Sequence, residues 1–186
     1  LNKMVEAIGL NFCAQLGINI PVGKDSMSMQ ANWKDKKNGK IIESIAPVTL
    51  VASAYAPVID TSQSLTPQLM TDDSVLLLID LGKGRNRMGG SIFSIVENSK
   101  DTECADCDDP SLLLEFFRLI QSLIECGLIE SYHDRSDGGL FVTVAEMAFA
   151  GRTGVSLDIS PWCDHIPILF CEEPGAVVQV KRKNLE

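Results

Sequence analysis

At the start of the chain, Leu1, Met4, Val5, Ile8, Phe12 and Leu16 recur at steps of three and four, which sets one apolar face on a helix. Gly17 can end that helix by taking a left-handed cap. The period then shortens. Residues 18–22 read as a short strand, Met27 and Met29 alternate with Ser26 and Ser28, and Asn38-Gly39 marks a hairpin turn because both residues tolerate positive φ. Residues 47–58 carry Val, Thr, Ala and Tyr without charge, the pattern of a buried strand.

From residue 59 to 73 the chain turns to Thr, Ser, Gln, Pro and Asp, a composition shift that predicts a linker between residues 1–58 and residues 74–186. A new apolar strand is expected over 74–81, followed by a loop with four glycines and three cations over 82–90; residues 91–96 fit no period firmly. Asp109 and Pro110 supply an N-cap and a first-turn proline for a helix through Leu113, Phe116, Phe117, Ile120, Leu123 and Ile124 to Gly127. Strand 128–133, loop 134–139 and a helix over 140–150 stopped by Gly151 come next, and strands 154–159 and 175–180 complete the series. Strands mixed with helices in this order predict an α/β (α+β) layer and not a bundle or a sandwich.

A length of 186 residues suits one domain or parts of two. Apolar residues make up 45% of the chain and charged ones 22%, with mean hydropathy +0.11, so disorder is not the default. The formal charge is −9, from 16 basic against 25 acidic side chains, without a basic run to neutralise a duplex. Nucleic acid is therefore not an expected partner. A nucleotide remains compatible with an acidic chain, since backbone N–H groups, one Lys and a divalent metal can supply the positive field locally. Six cysteines without a secretory apolar segment or a dense regular spacing point to a reducing cytoplasm. No apolar run reaches membrane-spanning length, so no membrane association is expected. The chain opens on Leu1 inside a helical pattern and closes on Lys181-Arg-Lys-Asn-Leu-Glu186 just after a strand; both ends are expected to be cut.

The stretch richest in chemistry is His133-Asp-Arg-Ser-Asp-Gly-Gly139, between a predicted strand and helix. Asp134 would stand at the strand's carboxyl end, where a carboxylate can hold Mg²⁺ that bridges phosphate oxygens. Ser136 could bond a phosphate or ribose, and Gly138 and Gly139 let backbone amides approach an anion. The same residues read equally as a plain capped turn with Asp137 as N-cap. In Pro21-Val-Gly-Lys-Asp-Ser26, Asp25 follows Lys24 where a Walker loop needs Ser or Thr, so this is not a P-loop. Lys24 is a candidate point charge toward phosphate, or else a solvated partner of Asp25. Gly89-Gly90-Ser91 could cradle a phosphate, or the loop is a surface turn. Cys104 and Cys107 form a lone C-x-x-C in an acidic surround, without a second pair for zinc. The two histidines suggest no nucleophile triad.

Four segments together resemble one family: residues 20–29, residues 132–140, Ala145-Glu-Met-Ala-Phe-Ala-Gly151, and Glu172-Glu-x-Gly-Ala-Val-Val-Gln-Val180. They are similar to phosphoribosylformylglycinamidine synthases, the formylglycinamide ribonucleotide amidotransferases, of the long single-chain type. The likeness implies the end of the amino-terminal α/β half, followed by most of the carboxyl-terminal half, of the second aminoimidazole-ribonucleotide-synthetase-like repeat. It implies ATP-dependent conversion of formylglycinamide ribonucleotide and glutamine to the amidine in purine biosynthesis. ATP/ADP and Mg²⁺ are the implied cofactors, with Asp134 as a metal ligand and Ser136 as a nucleotide contact; no definite role carries onto Lys24 or Asp25. The implied partners are small-molecule nucleotides and the remaining domains of the same full-length chain, including a glutaminase domain. The fragment alone is expected to be inactive, and no catalytic residue is assigned. The alternatives are a non-catalytic structural nucleotide-binding module, or another ATP-dependent enzyme of the aminoimidazole ribonucleotide synthetase superfamily.

Overall fold

The apolar steps at the start of the chain do form a helix. The computed structural model describes residues 2–26 and 29–185, in two compact units, Leu1–Val58 and Ile59–Glu186. Leu1, Met27 and Ser28, which the sequence reading uses, lie outside the described residues. The first helix, α1, runs through Asn2–Val5, a π-type stretch Glu6–Phe12, and Cys13–Leu16. Met4, Ile8, Phe12 and Leu16 are half-buried and Cys13 is buried. Gly17 ends it at φ 69°, and Ile18 N–H reaches the Cys13 carbonyl at 3.0 Å, the longer bond of a Schellman cap.

Strands β1 (Gln30–Lys34) and β2 (Ile41–Ile45) pair antiparallel around the turn that contains Asn38 and Gly39, with Lys34 opposite Ile41. Gly39 holds φ at 71°, and Lys40 N–H donates to the Asn38 side chain at 2.9 Å. Two expectations fail in this unit. Residues 18–22 and 47–58 are not strands, and Val51 and Tyr55 stand almost fully exposed. An extended segment becomes a strand only against a ladder partner, and among the described residues the sheet stops at two strands.

The second unit is built on a three-stranded antiparallel sheet in the order β3 (Ser74–Asp80), β5 (Gly175–Lys181), β4 (Ser131–Asp134). β5 is central and buried except at its ends, as its run of Ala and Val suggests. Because strand side chains alternate in direction, its residues serve two layers. Val178 and Val180 pack with Ile120 of α3 (Pro110–Glu125) and with Ile129. Val177 packs on the opposite cluster with Leu140, Val144 and Met147 of α4 (Gly139–Gly151) and with Leu69. Helices on both faces of the sheet make this the expected α/β (α+β) layering.

The segment before β3 is tied to this unit. Leu69 is buried in the α4 cluster, Tyr132 N–H donates to the Thr66 carbonyl, and the buried Gln179 side chain bonds both the N–H and the carbonyl of Met70 at 2.8 Å. Asp109 caps α3 through Ser111 and Leu112, with Pro110 in the first turn. Residues 91–96, left open by pattern, form α2 (Ile92–Val96) behind an N-cap at Ser91, whose hydroxyl accepts from Ser94 N–H.

A third correction concerns residues 154–159. They are irregular, with Val155 against the α4 cluster but without a ladder partner, and a cavity of about 1100 Å³ separates them from the outer side of β3. They lead into a helix that the pattern did not predict, α5 (His165–Phe170), with Pro167 inside its first turn, where a missing N–H costs little. All six cysteines are free thiols, and among the described residues no helix is long and apolar enough to cross a membrane.

Candidate functional site

β4 delivers the chain to the turn at 134–139. Arg135 N–H donates to the Gly175 carbonyl at 2.9 Å, the last rung before the chain leaves the sheet. Asp134 is exposed. Its Oδ1 accepts from the Tyr132 hydroxyl at 2.5 Å, and Oδ2 takes no hydrogen bond from a described residue. Burial, helped by the neighbouring carboxylate, pushes the Tyr132 phenol well above its ordinary value, so Tyr132 stays a donor that orients Asp134. His133 sits between the Asp134 carbonyl, 2.8 Å from Nδ1, and the Glu146 carboxylate, 2.7 Å from Nε2.

Both glycines are required by the fold. Gly138 has φ 84° and is the cap residue of α4; a Cβ there would lie 2.4 Å from Val142. Gly139 has φ 68°, and a Cβ would strike the backbone of α5, 2.6 Å from the Cys171 carbonyl oxygen. Asp137, the N-cap of the plain-turn reading, does not cap: α4 starts from Gly138 without a side-chain cap.

The amides of the turn divide into two sets. Gly138 N–H donates to Glu172 Oε1 at 2.9 Å and Gly139 N–H to the Ser136 carbonyl at 2.9 Å. The N–H groups of Ser136 and Asp137 and the Ser136 hydroxyl have no partner among the described residues, and both residues are exposed. The turn therefore places the Asp134 carboxylate with an open oxygen, the exposed Asp137 carboxylate, one hydroxyl and two backbone donors on the solvent side.

Beneath it lies a polar network that pattern reading missed. Glu173 is fully buried. Arg87 meets its carboxylate with two parallel bonds, Nε to Oε1 at 2.6 Å and Nη2 to Oε2 at 2.7 Å, and adds its own backbone N–H at 3.0 Å. Arg135, also buried, donates from Nε to the Glu173 carbonyl and from Nη2 to Asp80, each at 2.5 Å. Burial works to raise the Asp80 carboxyl, but Arg135 and the amides of Gly84 and Gly82 hold it below its usual value. Gly82 has no room for a side chain, because a Cβ would be 2.8 Å from Glu173. Buried charges are rare unless paired, and an acidic pair ahead of a strand carries no mark of its burial.

The loop at 82–90, a candidate phosphate cradle by composition, has its cations already matched. Lys83 pairs with Asp109, Arg85 with Asp108, and Arg87 with Asp108 and Glu173. Gly89 packs on the backbone of Glu103, to which its N–H donates at 2.7 Å. In the first unit Lys24 does not meet the Asp25 carboxylate. Its Nζ turns to the Asp25 carbonyl at 2.5 Å and the Ser26 hydroxyl at 3.1 Å. Asp134, Ser136, Gly138 and Gly139 thus share one turn, and Lys24 belongs to the other unit. The cavity beside β3 takes only Arg135 from the turn.

Comparison with known proteins bears on this arrangement. Residues 71–186 match the model of the AIR synthase related protein, C-terminal domain. The chain belongs to this family. Residues 1–57 match a second model, the FGAR-AT PurM_N-like domain, so the resemblance to formylglycinamide ribonucleotide amidotransferases stands. The turn and the Glu173 network both lie within the AIR synthase related segment. A solved chain described as T. maritima PurL complexed with ATP is similar at 15% identity and TM-score 0.48, over 67% of this chain and 20% of that one. The AIR synthase related chain described here thus spans a small part of that solved protein.

A metal fits the turn only in one manner. Among the described residues no three His, Cys, Asp or Glu side chains cluster to cage an ion. Mg²⁺ does not need such a cage, because one or two carboxylates plus phosphate oxygens and waters complete its shell. Asp134, with Oδ2 open, suits that role.

Proposed function

We propose that the turn at 134–139 is a Mg-nucleotide site within an ATP-dependent carbon-nitrogen ligase. The ligase would convert formylglycinamide ribonucleotide, glutamine and ATP to formylglycinamidine ribonucleotide in purine biosynthesis. One observation carries the reading: Asp134 stands exposed at the end of β4 with an open oxygen, beside Ser136 and two unengaged amides. The family membership supports an ATP-using class.

In this role Asp134 binds the metal, Tyr132 fixes the carboxylate rotamer, and Ser136 with the adjoining amides takes a phosphate or ribose oxygen. When bound, Mg²⁺ would neutralise phosphate charge as the terminal phosphoryl group of ATP passes to the formamide oxygen and ADP leaves. Ammonia then replaces the phosphoryl-bearing oxygen, and phosphate leaves. The residues of the turn contribute binding and orientation, the main needs of phosphoryl transfer. The ammonia and the rest of the site are assigned to other parts of the full-length polypeptide, including a glutaminase domain, and the place of action to the cytoplasm.

The test is Asp134→Asn in the full-length polypeptide, titrated with Mg-ADP by calorimetry. Loss of the charge facing the metal should weaken binding about tenfold, or about 1.4 kcal/mol. Equal affinity of variant and wild type would remove Asp134 from the site.

A further inference from the structure

Glu172 joins two elements that the chain keeps far apart. Its Oε1 accepts from Gly138 N–H at 2.9 Å, at the start of α4, and from Ile92 N–H at 2.8 Å, at the start of α2. One oxygen thus receives the first free amides of two helices, where unpaired donors and partial positive charge favour a carboxylate. Glu172 is half-buried, and the next residue, Glu173, is locked by Arg87. Its backbone is therefore anchored on one side, and Cys171 on the other side is buried.

We propose that Glu172 is a positioning residue for the Mg-nucleotide turn, and this rests on the reading of that turn given above. The Gly138 amide is the hinge of the turn, at φ 84° between the solvent-facing Ser136 and Asp137 and the fixed helix α4. With Glu172 on that amide, the peptide between Asp137 and Gly138 has one orientation, and with it the direction of the free Ser136 and Asp137 amides. Without it, Gly138 is restrained only by the turn bond from Gly139 N–H to the Ser136 carbonyl, because glycine has no side chain to restrict φ and ψ. The bond to Ile92 holds the carboxylate in place, so α2 takes part in shaping the turn. Glu172 occupies the Gly138 amide itself, which leaves nucleotide phosphate to the amides of Ser136 and Asp137.

Three variants of the full-length polypeptide test this, each titrated with Mg-ADP beside Asp134→Asn and each melted in the absence of nucleotide. Glu172→Ala removes both bonds and should weaken Mg-ADP about tenfold. Glu172→Gln keeps an oxygen acceptor for both amides and should stay within about twofold of wild type, a rescue that lost charge alone would not give. Ile92→Pro deletes the Ile92 donor, at the cost of a side chain that is already exposed, and leaves the Gly138 bond in place. Proline is well tolerated at the first helical position, and Ser91 already has the extended ψ of 156° that a following proline demands. This variant should fold and should weaken Mg-ADP about threefold, and it decides the matter if Glu172→Ala does not fold. Should Asp134→Asn weaken binding while Ile92→Pro and any folded Glu172→Ala bind as wild type, Glu172 has no positioning role. Should Asp134→Asn bind as wild type, the site reading itself falls, and the positioning role with it.

Discussion

β5 and the β1–β2 hairpin both carry large apolar side chains, yet these have opposite fates. β5 lies between two strands and beneath two helical layers, and its five inner residues are buried. All ten residues of β1 and β2 are exposed, although they include Trp33, Ile41, Ile42 and Ile45. For β2 the difference does not lie in propensity, since its isoleucines favour strands as the valines of β5 do. It lies in whether an opposing layer exists, for apolar surface gains free energy only when something covers it. The second unit supplies its own cover, and there the polar residues can also be buried, because Arg87 and Arg135 bring partners to Glu173 and Asp80.

The strongest way to break that contrast is to orphan a charge inside the second unit. Glu173→Ala leaves the Arg87 guanidinium with only Asp108 and the Asp106 carbonyl, and removes the side chain that fills the space over Gly82. Deleting one member of a buried pair typically costs about 3–5 kcal/mol. Urea unfolding should therefore show a large fall in stability, with Glu173→Gln intermediate. A loss under about 1 kcal/mol would mean that the network is not what holds the 82–90 loop to the sheet.

That network was also the least legible part of the chain. Helix α3 could be read almost to the residue, because Asp109-Pro110 at one end and Gly127 beyond the other bracket a clear period. The turn at 134–139 was legible as a place, since a strand, two glycines and a helix surround it. What it does with its amides was not, because Glu172 comes from 34 residues away in sequence and only tertiary structure brings it there. The strands expected at 18–22, 47–58 and 154–159 failed for one reason. Alternation or an apolar run reports that a segment could be buried in a sheet, whereas a ladder needs a neighbour that no local pattern reveals. Helix α5 was hidden by its own Pro167, which reads as a breaker unless the first turn is known to start at His165.

A smaller effect is expected where the second unit meets solvent. Hydrogen bonds from Ser111 first, then from the Leu112 amide and Lys83, hold the Asp109 carboxyl down to about 2. A folded value below the unfolded one means that Asp109 stabilises the fold at neutral pH, and that this contribution fades as pH falls from about 4 to about 2. Asp109→Ala should accordingly melt lower than wild type at pH 7, by less than Glu173→Ala does. The gap should narrow steadily on acidification and should not widen. A gap independent of pH would assign the loss to packing of α3 and not to its cap.

The smallest effect tests the first unit directly. Ile41 is 79% exposed at the end of β2, opposite Lys34. Truncating a side chain already in water forfeits little transfer free energy and leaves no cavity, so Ile41→Ala in this chain should change stability by less than about 0.5 kcal/mol. The same deletion beneath a covering layer would cost about 1 kcal/mol or more, approaching the range of about 2–5 for fully buried isoleucines. Running the substitution in this chain and in the full-length polypeptide therefore measures cover itself. Near-zero cost in both would mean that the hairpin faces solvent throughout. A cost confined to the longer polypeptide would show that its exposed apolar residues acquire the opposing layer that β5 finds within its own unit.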